Sequence, residues 1–391
     1  MKTDYQYIVI GCGGLGSGAL YWLSRHVGAD VLGLEQFNLF HHNGGSQDRS
    51  RIIRHYYHKD HYAQLTPHAY RAWETVEEES GIQIVHKVGG VLLAYVDTPQ
   101  RASVERYAAS LDFLRMDYEW LTTDELRYRY PQFRPQRETT VCYHRETGLV
   151  DPAFGNASHI ALARGYGATI LEKCQVNRIT PDDDGVLVET EQGRFHCRKL
   201  IVTSGAWTNN VLETVGFSLP LRVTQEQVTY FATPHLKEFG IGRFPVFQWK
   251  TDYNIYGFPV YGEVATKAAI DNTGRETTAE LRTFEPDMAR EAQLRSFLEI
   301  VIPNFVGPTL YTKTCLYTMP PDREFVLDFL PEYPNILVAV GAGHAYKFAS
   351  FLGQVLSELA IDGATTHDIS HFILQRRALE EPDWSEGQRY Y

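Results

Sequence analysis

The sequence predicts an α/β chain in which a nucleotide-type unit is interrupted by an antiparallel sheet. Three observations carry this. Near the start, a short apolar strand runs into a glycine-rich turn, a helix and a second strand. Near the end, "NILVAVGAGHAYKFASFLGQVLSELAIDG" follows the same order of strand, glycine turn and amphipathic helix. Between them, residues 222–275 alternate apolar and polar side chains through "QVTYF", "VFQWK" and "NIYGFPV", the pattern of a sheet with one covered face. The two ends therefore read as one Rossmann-type domain assembled from residues 1–85, 148–215 and 322–391. Residues 86–147 and 216–321 read as an inserted antiparallel-sheet domain on the substrate side.

The first unit is the most specific. Tyr7, Ile8, Val9 and Ile10 are β-branched or aromatic, as in a buried parallel strand. Gly11, Gly13 and Gly16 then fit G-x-G-x-x-G, with Gly14 among them, and Ala19, Leu20, Trp22 and Leu23 continue at helical spacing. A second apolar run, Val31–Leu34, ends in Glu35, about 20 residues past the glycines, as in a β-α-β dinucleotide site. Gly11 permits the tight turn, Gly13 lets backbone N–H groups reach a pyrophosphate, and Gly16 allows close helix–strand packing. The helix N-terminus favours the negative charge. Glu35 accepts hydrogen bonds from ribose hydroxyls and disfavours a 2′-phosphate, hence NADP; NAD and FAD both stay open on this unit alone.

The remaining elements follow in order. Residues 61–80 read as a helix with a break at Pro67 and a stop at Gly81, and residues 98–132 as a helical, mixed-charge surface layer. A helix is expected near 152–164, then a hairpin around Glu191, Gln192 and Gly193 leading into a strand at Leu200–Thr203. Residues 279–302 read as a helix.

Composition narrows the function classes. A net charge of −11 argues against nucleic acid as a partner. No apolar run reaches the length of a membrane span, and the opening strand leaves no room for a signal peptide. The ending "GQRYY" is not a peroxisomal address. Cys12, Cys142, Cys174, Cys197 and Cys315 are odd in number and lack C-x-x-C spacing, which fits free thiols in a reducing cytoplasm. No zinc-ligand spacing is visible, so no metal is expected, and His41 and His42 in "HHNGGS" read as solvated loop residues. The 24 Tyr and 20 Phe are enough to wall a planar ligand site as well as fill a core.

Four clusters point to chemistry. "RSRIIRHYY" sets Arg49, Arg51 and Arg54 beside Ile52 and Ile53, and a half-buried arginine wants an anion such as a carboxylate. In "TCLYTMPPDREFVLD", Cys315 reads from composition alone as an ordinary core thiol. In "GFPVYGEVATKAAID", Lys267 sits among Ala, Val and Thr, which makes it an edge residue, a snorkelling residue or a functional one. "GAGHAYKFAS" puts Gly341 and Gly343 ahead of His344 and Lys347 at a helix start, where N–H groups suit an anionic ring edge or a carboxylate.

Taken together, "IVIGCGGLGSGALYWL" with Glu35, "RIIRHYY", "YGFP", "CLYTMPPDREFVLD" and "GAGHAYKFAS" resemble the monomeric sarcosine oxidase and N-methyltryptophan oxidase family of flavin amine oxidases, in order and over nearly the whole chain. The resemblance implies a monomeric FAD enzyme that oxidises the C–N bond of a secondary amine, an N-alkyl or cyclic amino acid, to an imine and reduces O2 to H2O2. It implies that Cys315 bonds covalently to the flavin 8α carbon and that Arg54 and Lys347 hold the substrate carboxylate. Lys267 corresponds to the lysine beside flavin N5 where oxygen reacts, and Arg51 to a basic residue near the ring. Tyr256 and Tyr317 correspond to aromatics around the substrate, and Gly343 to the glycine whose carbonyl faces the amine. Gly341 and His344 share that cofactor-side turn.

Two positions depart from the family pattern. Asp271 stands where the family often carries a histidine four residues after the lysine, and an Asp there favours a cation or a hydroxyl over a second anion. Phe247 is the nearest equivalent of a wall methionine. The alternatives are a flavin amine dehydrogenase with another acceptor, an oxidase of an amine-containing natural product, or a flavin-fold binding protein without catalysis. The joint presence of Cys315, Lys267, Arg54 and Lys347 weighs against the last.

Overall fold

The computed structural model describes residues 2–381 and 384; the end of the 322–391 segment, including "GQRYY", lies outside the described residues. No helix among the described residues is long and apolar enough to cross a membrane.

Two large sheets organise the chain. The first is parallel at its centre, in the order Thr169–Leu171, Val31–Leu34, Asp4–Ile10, Gly193–Val202 and Tyr333–Val340. Antiparallel strands Val176–Pro181, Val186–Thr190 and Val326–Leu330 extend it. The central strands are unbroken apolar runs because both faces are covered. On one face, helices Gly14–Val27, Thr66–Ser80, Pro152–Gly165 and Ala349–Asp362 bury Trp22, Trp73, Ile160 and Phe351 against Val9, Ile201 and Leu337. On the other face, Ile8, Leu32, Leu200 and Val338 pack with Val186 and Phe195. Ile10 lies opposite both Leu34 and Val202, so the strands end together, and both glycine turns follow at that carboxyl edge. A Cβ on Gly16 would lie 1.8 Å from the Gly11 carbonyl oxygen, so only glycine lets the first helix start this close to its strand.

The second sheet runs Arg275–Thr277, Arg222–Phe231, Thr266–Asp271, Asn254–Phe258, Val246–Lys250, Gly90–Tyr95, Thr139–His144 and Glu119–Leu121, with Thr309–Met319 paired along Arg222–Phe231. It is antiparallel as expected, except that Val246–Lys250 and Gly90–Tyr95 pair in parallel. Alternation divides its faces. Phe231, Phe247, Trp249, Ile255 and Ile270 enter an aromatic core with Phe133, Phe244 and Phe305, which also takes Leu294 and Leu298 from helix Met288–Val301. The alternate residues line the other face. A small sheet of Arg51–Ile53, Gly148–Val150 and Val85–Lys87 carries the arginine segment beside it.

Three helical expectations change. Residues 98–132 form helices Gln100–Leu114 and Thr123–Arg129 around a strand Glu119–Leu121. The break follows from Arg115 at φ +54° and from a capping box at Thr122 and Glu125. The helix expected from 279 starts only at Met288, where the Asp287 carboxylate accepts from the N–H groups of Ala289 and Arg290 after Pro286. The 61–80 segment splits into Asp60–Ala63 and Thr66–Ser80, with Pro67 in the first turn of the second helix.

Candidate active site

A cavity of about 640 Å³ runs from the first glycine turn to the open face of the second sheet. Gly11, Gly13, Gly14 and Glu35 line one end; Arg54, Tyr256, Tyr317 and Lys347 line the other.

The glycine end is built on backbone contacts. Gly11 N–H donates to the Leu34 carbonyl at 2.8 Å. Glu35, 4% exposed, accepts from the N–H groups of Cys12 (2.9 Å) and Phe37 (3.0 Å). These contacts fix the acid at the strand end and leave lone pairs for sugar hydroxyls. The helix behind it has no acidic residue in its first turn. Glycine cradle, helix end and acid thus fit a dinucleotide. His42 is exposed, as expected of a solvated loop residue, whereas His41 is partly covered. His41 Nε2 lies 3.4 Å from a Glu35 oxygen, and His42 Nδ1 lies 2.7 Å from the Gln47 amide oxygen. No group of three His, Cys, Asp or Glu able to hold a metal occurs among the described residues.

The loop 41–48 is stapled over the strand that carries Cys315. Gln47 donates to the Thr314 carbonyl at 2.6 Å, and Arg282 donates to the carbonyls of His42, Asn43 and Thr314. Cys315 and Tyr317 share a face of that strand, and Cys315 lies opposite Glu226. Burial pushes the Cys315 thiol up to about 11, against the pull of Arg51. Arg51 lines the cavity and donates to the carbonyls of Ser50 (3.0 Å) and Gly45 (3.3 Å).

Lys267 is neither at an edge nor snorkelling. It sits in a central strand, 3% exposed, with Nζ 2.7 Å from Asp48 Oδ2, and it donates to the Ser50 carbonyl (2.8 Å) and hydroxyl (3.0 Å). Asp48, at φ +92°, also accepts from the Tyr230 hydroxyl (2.5 Å) and Lys313 (3.2 Å). Burial works to raise the Asp48 carboxyl, but Lys267, Arg51 and Lys313 overcome it and hold it well below the carboxylate range. Burial lowers the Lys267 ammonium to about 8, with Asp48 opposing. Sequence reasoning missed Asp48, Ser50, Tyr230 and Lys313. The available hint was that a buried lysine requires an acid, and "SQDRS" holds one beside the arginines.

At the far end, Arg54 donates through Nε to the Tyr56 carbonyl at 3.1 Å and stands 4.8 Å from the Tyr57 ring centre. Lys347 donates to the His344 carbonyl at 2.8 Å and stands 5.7 Å from the same ring. Among the described residues, no carboxylate lies within ion-pair distance of either. Burial, then Arg54, pushes the Lys347 ammonium well below its ordinary value. Arg54 is half-buried and Lys347 buried, and Asp271 is near enough to act on both. With no carboxylate in ion-pair contact among the described residues, the two cations make a site for an anion. Gly343, at φ +77°, turns the chain where a Cβ would fall 2.5 Å from the Tyr317 ring. Burial raises the hydroxyls of Tyr256 and Tyr317, so both stay protonated. The His344 ring packs at 4.7 Å on Phe325 and 5.0 Å on Tyr62, and burial keeps it neutral. Asp271 lines the cavity opposite Asn254. Phe247 does not: it is fully buried in the aromatic core, and its neighbour Gln248 faces the cavity beside Tyr256.

Known proteins share this architecture. Residues 6–359 match the family described as FAD dependent oxidoreductase. The chain is 32% identical to a monomeric sarcosine oxidase of Streptomyces avermitilis, over 97% of this chain and 99% of that protein. It is 28% identical to an N-methyl-L-tryptophan oxidase of Salmonella arizonae, over 95% of this chain and 99% of that one. Among solved structures it is similar to NikD, an unusual amino acid oxidase essential for nikkomycin biosynthesis, with a TM-score of 0.83 and 25% identity over 95% of this chain and 98% of that one. A dinucleotide cradle that opens into a cationic, aromatic-walled cavity, matched along almost all of its length, makes this chain a member of the FAD dependent oxidoreductase family.

Proposed function

We propose that the protein is an FAD-dependent oxidase of secondary amines that carry a carboxylate, N-alkyl or cyclic amino acids, forming an imine and passing the electrons to O2 to give H2O2. The observation that carries it is the pair Arg54 and Lys347, two cations on the cavity wall with no carboxylate in ion-pair contact among the described residues. Bound FAD supplies the acceptor for the hydride equivalent lost from the carbon beside the nitrogen.

The chain's own residues do the rest. Arg54 pairs with the substrate carboxylate, and Lys347 adds a point charge. The Gly343 carbonyl accepts from the amine N–H. Tyr256 and Tyr317 exclude water and stay neutral. Lys267 holds positive charge, kept in place by Asp48, where negative charge develops on oxygen. Cys315 is the attachment point of the cofactor, with Arg51 and Arg282 favouring its thiolate against burial. Residues 1–85, 148–215 and 322–391 hold the cofactor, and 86–147 and 216–321 hold the substrate. The five free, buried cysteines suit a cytoplasmic monomer.

Anaerobic addition of N-alkyl amino acids to the holoenzyme tests this. The expected result is loss of the visible flavin band, recovered in air with peroxide formed. Equal bleaching by the corresponding amines without a carboxylate would overturn the carboxylate reading.

A further inference from the structure

Three adjacent strands bring a row of polar side chains onto the cavity face. Gln248 lies opposite Tyr256; Lys250 lies opposite Asn254, which lies opposite Asp271. All five line the cavity. Strand spacing sets Lys250 and Asp271 roughly 10 Å apart with Asn254 between them.

The row is short of partners. Lys250 is 4% exposed and has no carboxylate within ion-pair distance among the described residues; its neighbour is Tyr107, whose hydroxyl it reaches and whose ring centre lies 4.4 Å from the ammonium. The amide oxygens of Asn254 and Gln248 are buried without a hydrogen-bond partner. Buried polar atoms left unpaired cost free energy, and here several face one cavity. The Tyr107 ring also lies 5.7 Å from the Arg54 guanidinium, so the row and the carboxylate site share a wall.

We propose that this row is a second subsite, which takes a neutral side group of the substrate able both to accept and to donate hydrogen bonds, such as a carboxamide. The inference rests on the amine-oxidase reading. Charge decides the class. Asp271 alone would favour a cation, but Lys250 brings the row to zero net charge. A cation or an anion therefore meets attraction at one end and repulsion at the other. An apolar group leaves the two amide oxygens unpaired and adds nothing to the ammonium beyond Tyr107. A group with an oxygen toward Lys250 and N–H toward Asn254 and Asp271 satisfies the row. A site built this way rejects the analogue that lacks the polar group.

Glutaramate and 5-methylhexanoate, the glutamine and homoleucine skeletons without the amine, cannot be oxidised and differ only in that an isopropyl group replaces the carboxamide. Their binding to the holoenzyme is read by thermal shift and by perturbation of the flavin band. Glutaramate should bind at least tenfold tighter, and Lys250→Met and Asn254→Leu should each cut that preference about tenfold. Equal binding of the two ligands by the wild type overturns the subsite without recourse to any variant. So does a Lys250→Met protein that weakens both ligands equally. Anaerobic bleaching with N-methyl-L-glutamine and N-methyl-L-homoleucine separates the two levels. No bleaching by either refutes the amine-oxidase reading; bleaching by both without preference refutes the subsite alone.

Discussion

Replacing Asp48 by Asn removes the one carboxylate within ion-pair distance of Lys267 among the described residues, and it nearly preserves shape. The pair is 2.7 Å apart, with both side chains almost fully buried. Two unit charges at that distance interact by roughly 6 kcal/mol at an effective dielectric of about 20. The amide dipole and the two Ser50 contacts recover part of this. A remaining loss of about 3 kcal/mol is two decades in the ammonium's acid dissociation. Burial already lowers Lys267 to about 8, so Asp48→Asn should leave it uncharged at neutral pH. The charge is present below the midpoint and lost above it. Wild-type reoxidation should therefore be fast at neutral pH and fall as pH rises through about 8. In the variant the fall should move to the acid side. At neutral pH the oxygen step should slow about 10²-fold, the scale of losing one electrostatic stabiliser. Stopped-flow spectroscopy reads the two half-reactions apart: anaerobic reduction by substrate, then mixing with oxygenated buffer across a pH series. Lys267→Met should be as slow, with no pH step. A variant that reoxidises at the wild-type rate, or that loses both half-reactions equally, would refute the coupling of Asp48 and Lys267 to oxygen.

Further outcomes follow from the same geometry. Cys315→Ala should release all flavin into an acid supernatant; release from the wild type would show that no covalent bond forms. Arg54→Ala should cost about 2–5 kcal/mol in kcat/KM toward amino acids, with far less effect on decarboxylated amines. Gly16→Ala forces a Cβ toward the Gly11 carbonyl and should yield protein without flavin; a normal visible spectrum after purification would contradict this. Asp271→His should shift relative kcat/KM toward small N-methyl amino acids such as sarcosine.

The glycine turn was legible because its constraint is local: Gly16 has no room for a side chain, and Glu35 ends the very next strand. Lys267 was legible as an anomaly, a cation in an apolar strand. Its partner was not, because Asp48 lies on a distant loop that only tertiary packing brings near. The alternation in "VFQWK" separates Phe247 and Trp249 from Gln248 and Lys250, but a strand does not say which of its faces meets a cavity. The apolar pair found the aromatic core, so Phe247 left the wall and Gln248 and Lys250 took it. The helix start at Asp287 was written in the sequence as Pro-Asp and overridden by the apparent length of the helical pattern. With 279–287 outside the helix, Arg282 reaches the Thr314 carbonyl beside Cys315, a contact with no local cue.

The most direct test of amine oxidation at this cavity is the stoichiometry of turnover with an N-methyl amino acid under limiting oxygen. One peroxide should appear for each oxygen consumed and each amine lost. Flavin that bleaches with the amine but recovers only with an artificial acceptor, not with air, would contradict the oxidase.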